Sequence, residues 1–337
     1  MTSLRTSSDP TSTQALHEAV TAAHQRLAGA TVCLLARHGM TPLETAELDG
    51  FTDTLTRCAA AVTRVHFDDV HELYLPPAVQ LLIDADVVVK FTHGPFNRTG
   101  LLPAVLDSLG VRRAGHPSST DLLSQRKSLV KQLMLRHAVP TLPYVLATGG
   151  SRIGDRLTPL QAAGATAFVV KPDDGNASEG IQWAPSAAEA ARVIQTVQGL
   201  QLVEPYTAGR IITVGAVTLL SRIHALAPLE YLLDDRPVMD AAWKQDPHRA
   251  PAGLEPSADA EIRGYAATLH RAVGANGLSR TDFILGAGGK VAALEINTNV
   301  GLGPRHDLAQ AFAATGLTYD DLVVCQAAGA LPGPGQR

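Results

Sequence analysis

Residues 294–299 read LEINTN and residues 280–285 read RTDFIL. In both, apolar and polar residues alternate, and on a strand every second side chain shares a face. The first segment puts Leu294 and Ile296 on one face and Glu295, Asn297 and Asn299 on the other. The second puts Arg280 and Asp282 together, opposite Thr281 and Phe283. Such strands suit a sheet packed on a core on one side, with its polar side turned to water or to a ligand. Two carboxylates and an amide oxygen are hard donors of the kind Mg²⁺ takes, with water and phosphate completing its shell. On these residues alone, a solvated strand face and a cation site both stay open.

A chain of 337 residues exceeds one ordinary core, so two or three lobes are expected. Its 45% hydrophobic and 18% charged residues suit a soluble globular protein. A net charge of −4 points to neither nucleic acid nor membrane as a partner. Cys33, Cys58 and Cys325 have no metal spacing and read as buried thiols of a reducing cytoplasm. No apolar run is long enough to span a bilayer. The opening MTSLRTSSDPTST lacks an apolar signal core, which predicts a mobile tail and a cytoplasmic protein.

Beyond that tail, residues 13–29 place Leu16, Val20, Ala23 and Leu27 at helical spacing and stop at Gly29. TVCLLA, AVTRVHF and DADVVVKFTHG predict three strands, separated by a helix that Gly50 interrupts and followed by a helix over 101–111. Strands alternating with helices predict a parallel sheet. A helix is expected over 118–138, broken by VPTLP, and a strand over 165–172 runs into the polar turn DDGNASEG. IQWAPSAAEAARVIQTVQG returns through a helix to the strand QLVEPY. GRIITVGAVTL opens a last region that holds the two alternating strands and a polar, Pro-rich loop. The expected division is a tail (1–13), an N-terminal lobe (14–117), a central lobe (118–206) and a C-terminal lobe (207–331). There is no internal repeat. Trp183 and Trp243 are expected to be packing residues.

The turn after Lys171 can wrap phosphates with backbone N–H groups, as glycine-rich turns do, although it lacks the GxxxxGK[ST] pattern. In order, the chain offers KxxxK at Lys127 and Lys131, VVKP with its Gly/Ser turn, LVEPY, GRIITVG, RTDF and EINTNVG. That series resembles the ATP-grasp ligases, and most closely the D-alanine–D-alanine ligase family, from about THG (92–94) to TGLTYDDLV (315–323).

The resemblance implies an α/β ATP-grasp fold of three lobes, the first Rossmann-like, with ATP between the second and third. Asp282, Glu295 and Asn297 would hold two Mg²⁺ ions, which Mn²⁺ could replace. Lys127, Lys171 and the turn residues Gly175, Ser178 and Gly180 would meet the phosphates. Glu204 would face the adenine amino group, and Pro205, Tyr206 and Thr207 its edge. Proline is tolerable at 205 because only its carbonyl is needed. Arg280 and the Gly301 N–H would stabilise an oxyanion, and Lys244 would sit on a loop closing over the phosphates. Glu44, His93, Arg98, Arg305 and His306 would lie on the amino-acid side.

The chain departs from the family pattern at the Asn176–Ser178 turn and at Ile211, where a ribose-binding glutamate is usual. It also departs at Arg98 within HGPFNRTG, at Gln245, and in VGLGPRHD, where a serine usually serves the acceptor carboxylate. These changes cluster on the amino-acid side. They lead to the expectation of an ATP-dependent carboxylate–amine ligase acting on small amino acids or dipeptides through an acylphosphate. Its product is expected to be a specialised small peptide or amino-acid-derived metabolite. A cell-wall D-alanine–D-alanine ligase, an intramolecular cyclo-ligase and a non-catalytic nucleotide-binding protein are the alternatives. A homodimer is left open.

Overall fold

The structure is a computed structural model, and it describes residues 12–91, 100–150, 153–175, 180–233, 236–239, 243 and 247–331. The expected tail therefore lies outside the described residues, apart from Ser12 and Thr13. Ser12 caps the first helix, α1 (Thr13–Leu27), whose Leu16, Val20, Ala23 and Leu27 are buried as their spacing predicts.

The N-terminal sheet is parallel, in the order β2 (Ala61–Phe67), β1 (Thr31–Arg37), β3 (Val87–Lys90). β1 and β3 are apolar runs because they are covered on both faces. The helix α2 (Pro42–Cys58) starts in a capping box between Thr41 and Glu44, with Pro42 in its first turn. It passes through Gly50 without interruption, contrary to the expected break. Leu48, Phe51 and Leu55 are buried along it, and their packing outweighs a glycine penalty of about 1 kcal/mol. The helices α3 (Ala78–Asp84) and α4 (Leu101–Ser108) complete this part.

The helix expected over 118–138 is in fact two, α5 (Ser118–Gln125) and α6 (Lys127–Arg136). Arg126 between them is extended, at φ −98° and ψ 96°. The cause is the turn after Pro172. The Lys127 N–H donates to the Asp173 carbonyl at 2.9 Å, and the Ser128 N–H donates to the Asp173 carboxylate at 2.7 Å. An acidic cap from a distant turn thus begins a new helix.

A four-stranded antiparallel sheet follows, in the order β4 (Val145–Ala147), β7 (Gln201–Pro205), β5 (Phe168–Pro172), β6 (Gln182–Ala184). Its helices α7 (Ile153–Ala162) and α8 (Ala187–Thr196) close a separate core around Leu157, Phe168, Ile194 and Val203. Trp183 on β6 is 41% exposed, against the expected packing role, and meets Tyr206 edge to face at 6.2 Å. Trp243 is buried as expected, against Tyr231.

The third sheet is antiparallel, with the main order β11 (Arg249–Pro251), β10 (Leu229–Tyr231), β8 (Gly209–Leu219), β12 (Leu278–Gly286), β13 (Val291–Asn297), and β9 (Arg222–Ala225) beside β8. Its apolar face packs on α6 and α9 (Pro256–Ala272) through Val130, Met134, Ile262, Phe283 and Ile296. Last come α10 (Asp307–Ala314) and α11 (Tyr319–Ala328). α11 packs on α1 and shares one core with the N-terminal sheet and the end of β8. Among the described residues, no helix is long and apolar enough to cross a membrane.

Candidate nucleotide and amino-acid site

The opening pattern becomes a ladder. β12 and β13 pair Arg280 with Asn297 and Asp282 with Glu295, while Thr281 faces Ile296 toward the core. The register shifts immediately after Asp282, so a bulge ends the polar row where the apolar core resumes.

These strands form one wall of a cleft of about 690 Å³. The wall carries Asp282, Glu295 and the apolar trio Ile211, Ile284 and Leu294. The facing wall, from the four-stranded sheet, carries Lys171, Glu204, Pro205, Tyr206 and Thr207. The structure thus brings together five of the residues expected around ATP and two of the three expected to hold metal. Asn297, the third, sits two residues along β13 from Glu295, on the same face.

Glu204 is buried and does not stand free toward an adenine. Lys171 reaches one oxygen at 2.5 Å, and Lys131, itself fully buried, is bonded to the other. Burial would raise the Glu204 carboxyl, but Lys131 and Lys171 outweigh it and hold the group below its usual range. Burial pushes the Lys131 ammonium down, against the pull of Glu204. Lys131 also donates to Thr141 at 2.7 Å. The KxxxK spacing is one helical turn, which puts Lys127 and Lys131 on one face of α6.

Lys127 donates to the Gly175 carbonyl at 2.8 Å. Its ammonium is lowered by burial and raised by Glu295, which lies near it. Gly175 and Gly180 both take positive φ, 142° and 73°, conformations that favour glycine. Ser178, between them, lies outside the described residues, as do His93, Arg98 and Lys244.

Two carboxylates and an amide do not make a closed metal cage, and among the described residues no three His, Cys, Asp or Glu side chains form one. The set fits Mg²⁺, which keeps open positions for water and phosphate. Asp282 is also fixed from behind. Thr213 donates to it at 2.7 Å, and Arg280 grips both its oxygens at 3.1 and 3.0 Å.

Arg280 is shared. It also donates to Asp307 at 2.5 Å, and Arg249 reaches the same carboxylate at 2.8 Å. Burial would lower Arg280 and raise Asp307. Asp282 and Asp307 overcome this for the arginine, Arg280 and Arg249 for the acid, and both stay charged. Arg305 is exposed, and its backbone carbonyl accepts from Arg249 at 2.9 Å. The guanidiniums that hold Asp307 are those of Arg249 and Arg280, both with largely covered side chains. Arg249 opens β11 within the stretch expected to be a Pro-rich loop, where nothing in the sequence pattern singled it out.

The loop 301–306 runs close to other groups. A Cβ on Gly301 would collide with the His306 ring, and one on Gly303 with the Glu47 carboxylate. His306 Nε2 is 3.5 Å from Glu47. Glu44, the expected N-terminal acid, instead accepts from the Thr41 N–H and hydroxyl, both at 2.8 Å, and caps α2. Glu47, one turn on, is the acid that faces the loop. The signal for it was in the sequence: Glu47 lies in the buried stripe Leu48, Phe51, Thr54 and Leu55, where an unpaired acid would be costly.

A family model described as D-ala D-ala ligase C-terminus matches residues 133–325. The D-alanine–D-alanine ligase of Oleidesulfovibrio alaskensis is 30% identical over 238 residues, covering 68% of this chain and 74% of that protein. That of Syntrophobacter fumaroxidans is 27% identical, covering 77% and 84%. In fold, the chain is similar to the Bacillus anthracis D-alanine–D-alanine ligase solved with ATP, at a TM-score of 0.70 and 15% identity, covering 88% and 95%. It is also similar to the D-alanyl-alanine synthetase A of Vibrio cholerae, at 0.72 and 18%, covering 90% and 98%.

Proposed function

The chain belongs to the D-alanine–D-alanine ligase family of ATP-grasp enzymes, and on that footing we propose that it is an ADP-forming carbon–nitrogen ligase for small amino acids. It would activate one substrate's carboxylate as an acylphosphate and join it to an amine. The observation that carries this reading is the cleft itself, where Asp282 and Glu295 face Lys171 while Lys127 approaches Glu295.

Each described residue has work that follows from its place. Mg²⁺ held by Asp282, Glu295 and Asn297 would offset charge on the phosphates during transfer. Lys171 adds fixed positive charge on the facing wall, and Lys127 adds it from α6. Thr213 and Arg280 keep Asp282 oriented. Pro205 to Thr207 and the apolar Ile211, Ile284 and Leu294 accept a flat base and keep water out. Arg280 and the Gly301 N–H are the donors for a developing oxyanion. Glu47 supplies an acid for a substrate ammonium, the role first expected of Glu44.

Joining two D-alanines has the better support, because the chain matches D-alanine–D-alanine ligases over most of their length. One observation favours the specialised-metabolite reading instead. The loop beyond Gly301 offers His306 and an Asp307 already held by Arg280 and Arg249, where the family pattern has a serine. Intramolecular ring closure would use the same residues. ADP release over a panel of D- and L-amino acids, with product mass measured, decides among them. D-alanyl-D-alanine as the dominant product supports the first reading, and another amide supports the second. No ADP above background with any member would leave a nucleotide-binding protein.

A further inference from the structure

One carboxylate ties its own helix to two other parts of the fold. Asp121, on α5, is fully buried. Its Oδ2 accepts from Lys90 Nζ at 3.1 Å, at the end of β3 in the N-terminal sheet. Its Oδ1 accepts from the Thr298 hydroxyl at 2.9 Å, in the turn directly after β13. Lys90 is itself buried, so this is an ion pair out of water.

A buried pair of this kind gains little net stability over well-packed apolar side chains. What it does supply is direction, because each oxygen has one partner in one place. Thr298 gives its proton to Asp121, and Ser124 Oγ lies 2.7 Å from the Thr298 oxygen and 3.0 Å from the Asp121 backbone carbonyl, so all three residues share one buried network. Both Asp121 and Ser124 lie on α5, immediately before Arg126 and the capped start of α6 that presents Lys127. Thr298 directly follows Asn297, whose side-chain oxygen accepts from the Asn299 N–H at 2.9 Å. The network therefore joins the helix pair that carries Lys127 and Lys131 to the strand end that carries Glu295 and Asn297, with β3 as the third anchor.

We propose that Asp121, acting through Thr298, is a positioning residue that holds the Glu295–Asn297 strand end at the distance from Lys127 needed for both to meet one metal-bound triphosphate. The inference rests on the nucleotide reading above. Its probe is Thr298→Val, which keeps the β-branched shape and deletes the hydroxyl, with Thr298→Ser to restore it and Asp121→Asn as a companion.

The readout is the dissociation constant of ATP by calorimetry, with and without Mg²⁺, beside the melting temperature. In Thr298→Val, binding of ATP with Mg²⁺ is expected to weaken about tenfold, or roughly 1.4 kcal/mol. Binding without Mg²⁺ should change less than twofold, and Thr298→Ser should recover most of the loss. A Thr298→Val protein that binds ATP with Mg²⁺ as the native one does, whatever its melting temperature, overturns the proposal. Equal weakening with and without Mg²⁺ overturns it too, because a merely structural role gives that result. Failure of the native protein to bind ATP with Mg²⁺ would overturn the nucleotide reading itself. Poor folding of Asp121→Asn leaves the test intact, since the Thr298 pair decides it.

Discussion

Replacing Lys131 by methionine tests whether the buried Lys131–Glu204–Lys171 triad is a working part of the cleft. Methionine fills similar volume, so the change removes a charge more than it opens a cavity. Glu204 would keep only Lys171. Removing one partner of a buried pair costs about 3–5 kcal/mol, because a charge is left short of compensation. The remaining lysine argues for the low end. Release of the Lys131 ammonium from an environment that penalises it by burial acts the same way. Loss of the bond to Thr141 adds roughly 1 kcal/mol.

A net loss of about 3 kcal/mol follows, seen as a lower urea midpoint with an unchanged slope. The double variant Lys131→Met/Glu204→Gln removes the stranded charge and is expected to recover part of that loss, so the two changes should be far from additive. The pH dependence has a defined sign. Glu204 is held below its usual range in the fold, so its stabilisation is present above the unfolded carboxyl value and is lost as pH falls through the folded one. In Lys131→Met that loss should begin at higher pH. Stability of Lys131→Met within about 0.5 kcal/mol of the native protein, the ordinary range for surface substitutions, would refute the reasoning.

Other outcomes follow from the same geometry. Glu295→Gln should lower turnover by orders of magnitude at saturating Mg²⁺ while the protein still folds, and near-native activity would remove Glu295 from the metal site. Ile211 gives no polar partner to a ribose hydroxyl, so 2′-deoxy-ATP should cost less than about a hundredfold in kcat/KM, or roughly 2.7 kcal/mol; a larger penalty would show that another group contacts the ribose. His116 and His270 are buried and held neutral, with values lowered to about 4 and about 3 against 6.5 in an ordinary setting. The unfolded chain takes up those protons first as pH drops below 6.5, so urea titrations at pH 7.5 and 5 should differ by about 4 kcal/mol. A flat profile over that window would contradict the burial of the two rings. Glu47→Gln should raise one amino-acid KM about tenfold, or roughly 1.4 kcal/mol, and leave the KM for ATP unchanged; an unaltered amino-acid KM would return the role to another acid.

The strand pattern made the polar row of the cleft wall legible, because a period of two maps onto the two faces of β12 and β13, but Leu294, expected opposite Glu295, lines the cleft beside it where the register shifts. The ladder then set Asp282 against Glu295, as a reading of two polar rows requires. Helix continuity was harder. Gly50 looked like a break and is not one, while the run through Arg126 looked continuous and is broken. Both outcomes depend on contacts from elsewhere: apolar packing in the first case, and Asp173, 45 residues away from Ser128, in the second. Which acid lies against the loop 301–306 was hidden for the same reason: Glu44 caps its helix and Glu47, one turn on, faces the loop. Glu44 and Glu47 share one helix, and only tertiary contact tells a cap from a pocket residue. The departures at 301–307 were visible, but the Arg249 partner of Asp307 was not, since Arg249 opens a three-residue strand, too short to show periodicity, inside a stretch read as a loop.

The two walls of the cleft differ in what stands behind them. Lys171 and Glu204 sit on a small sheet with its own core, while Asp282 and Glu295 belong to a sheet with a different one. Lys131 crosses from the second body to grip Glu204 in the first. Units with separate cores open with separate free energies, and a ligand stabilises whichever opening would release it. ATP should therefore slow hydrogen exchange most in the amides of Gln201–Pro205 and Phe168–Pro172. The buried strand Thr31–Arg37, which does not line the cleft, should exchange at nearly the same rate with and without nucleotide.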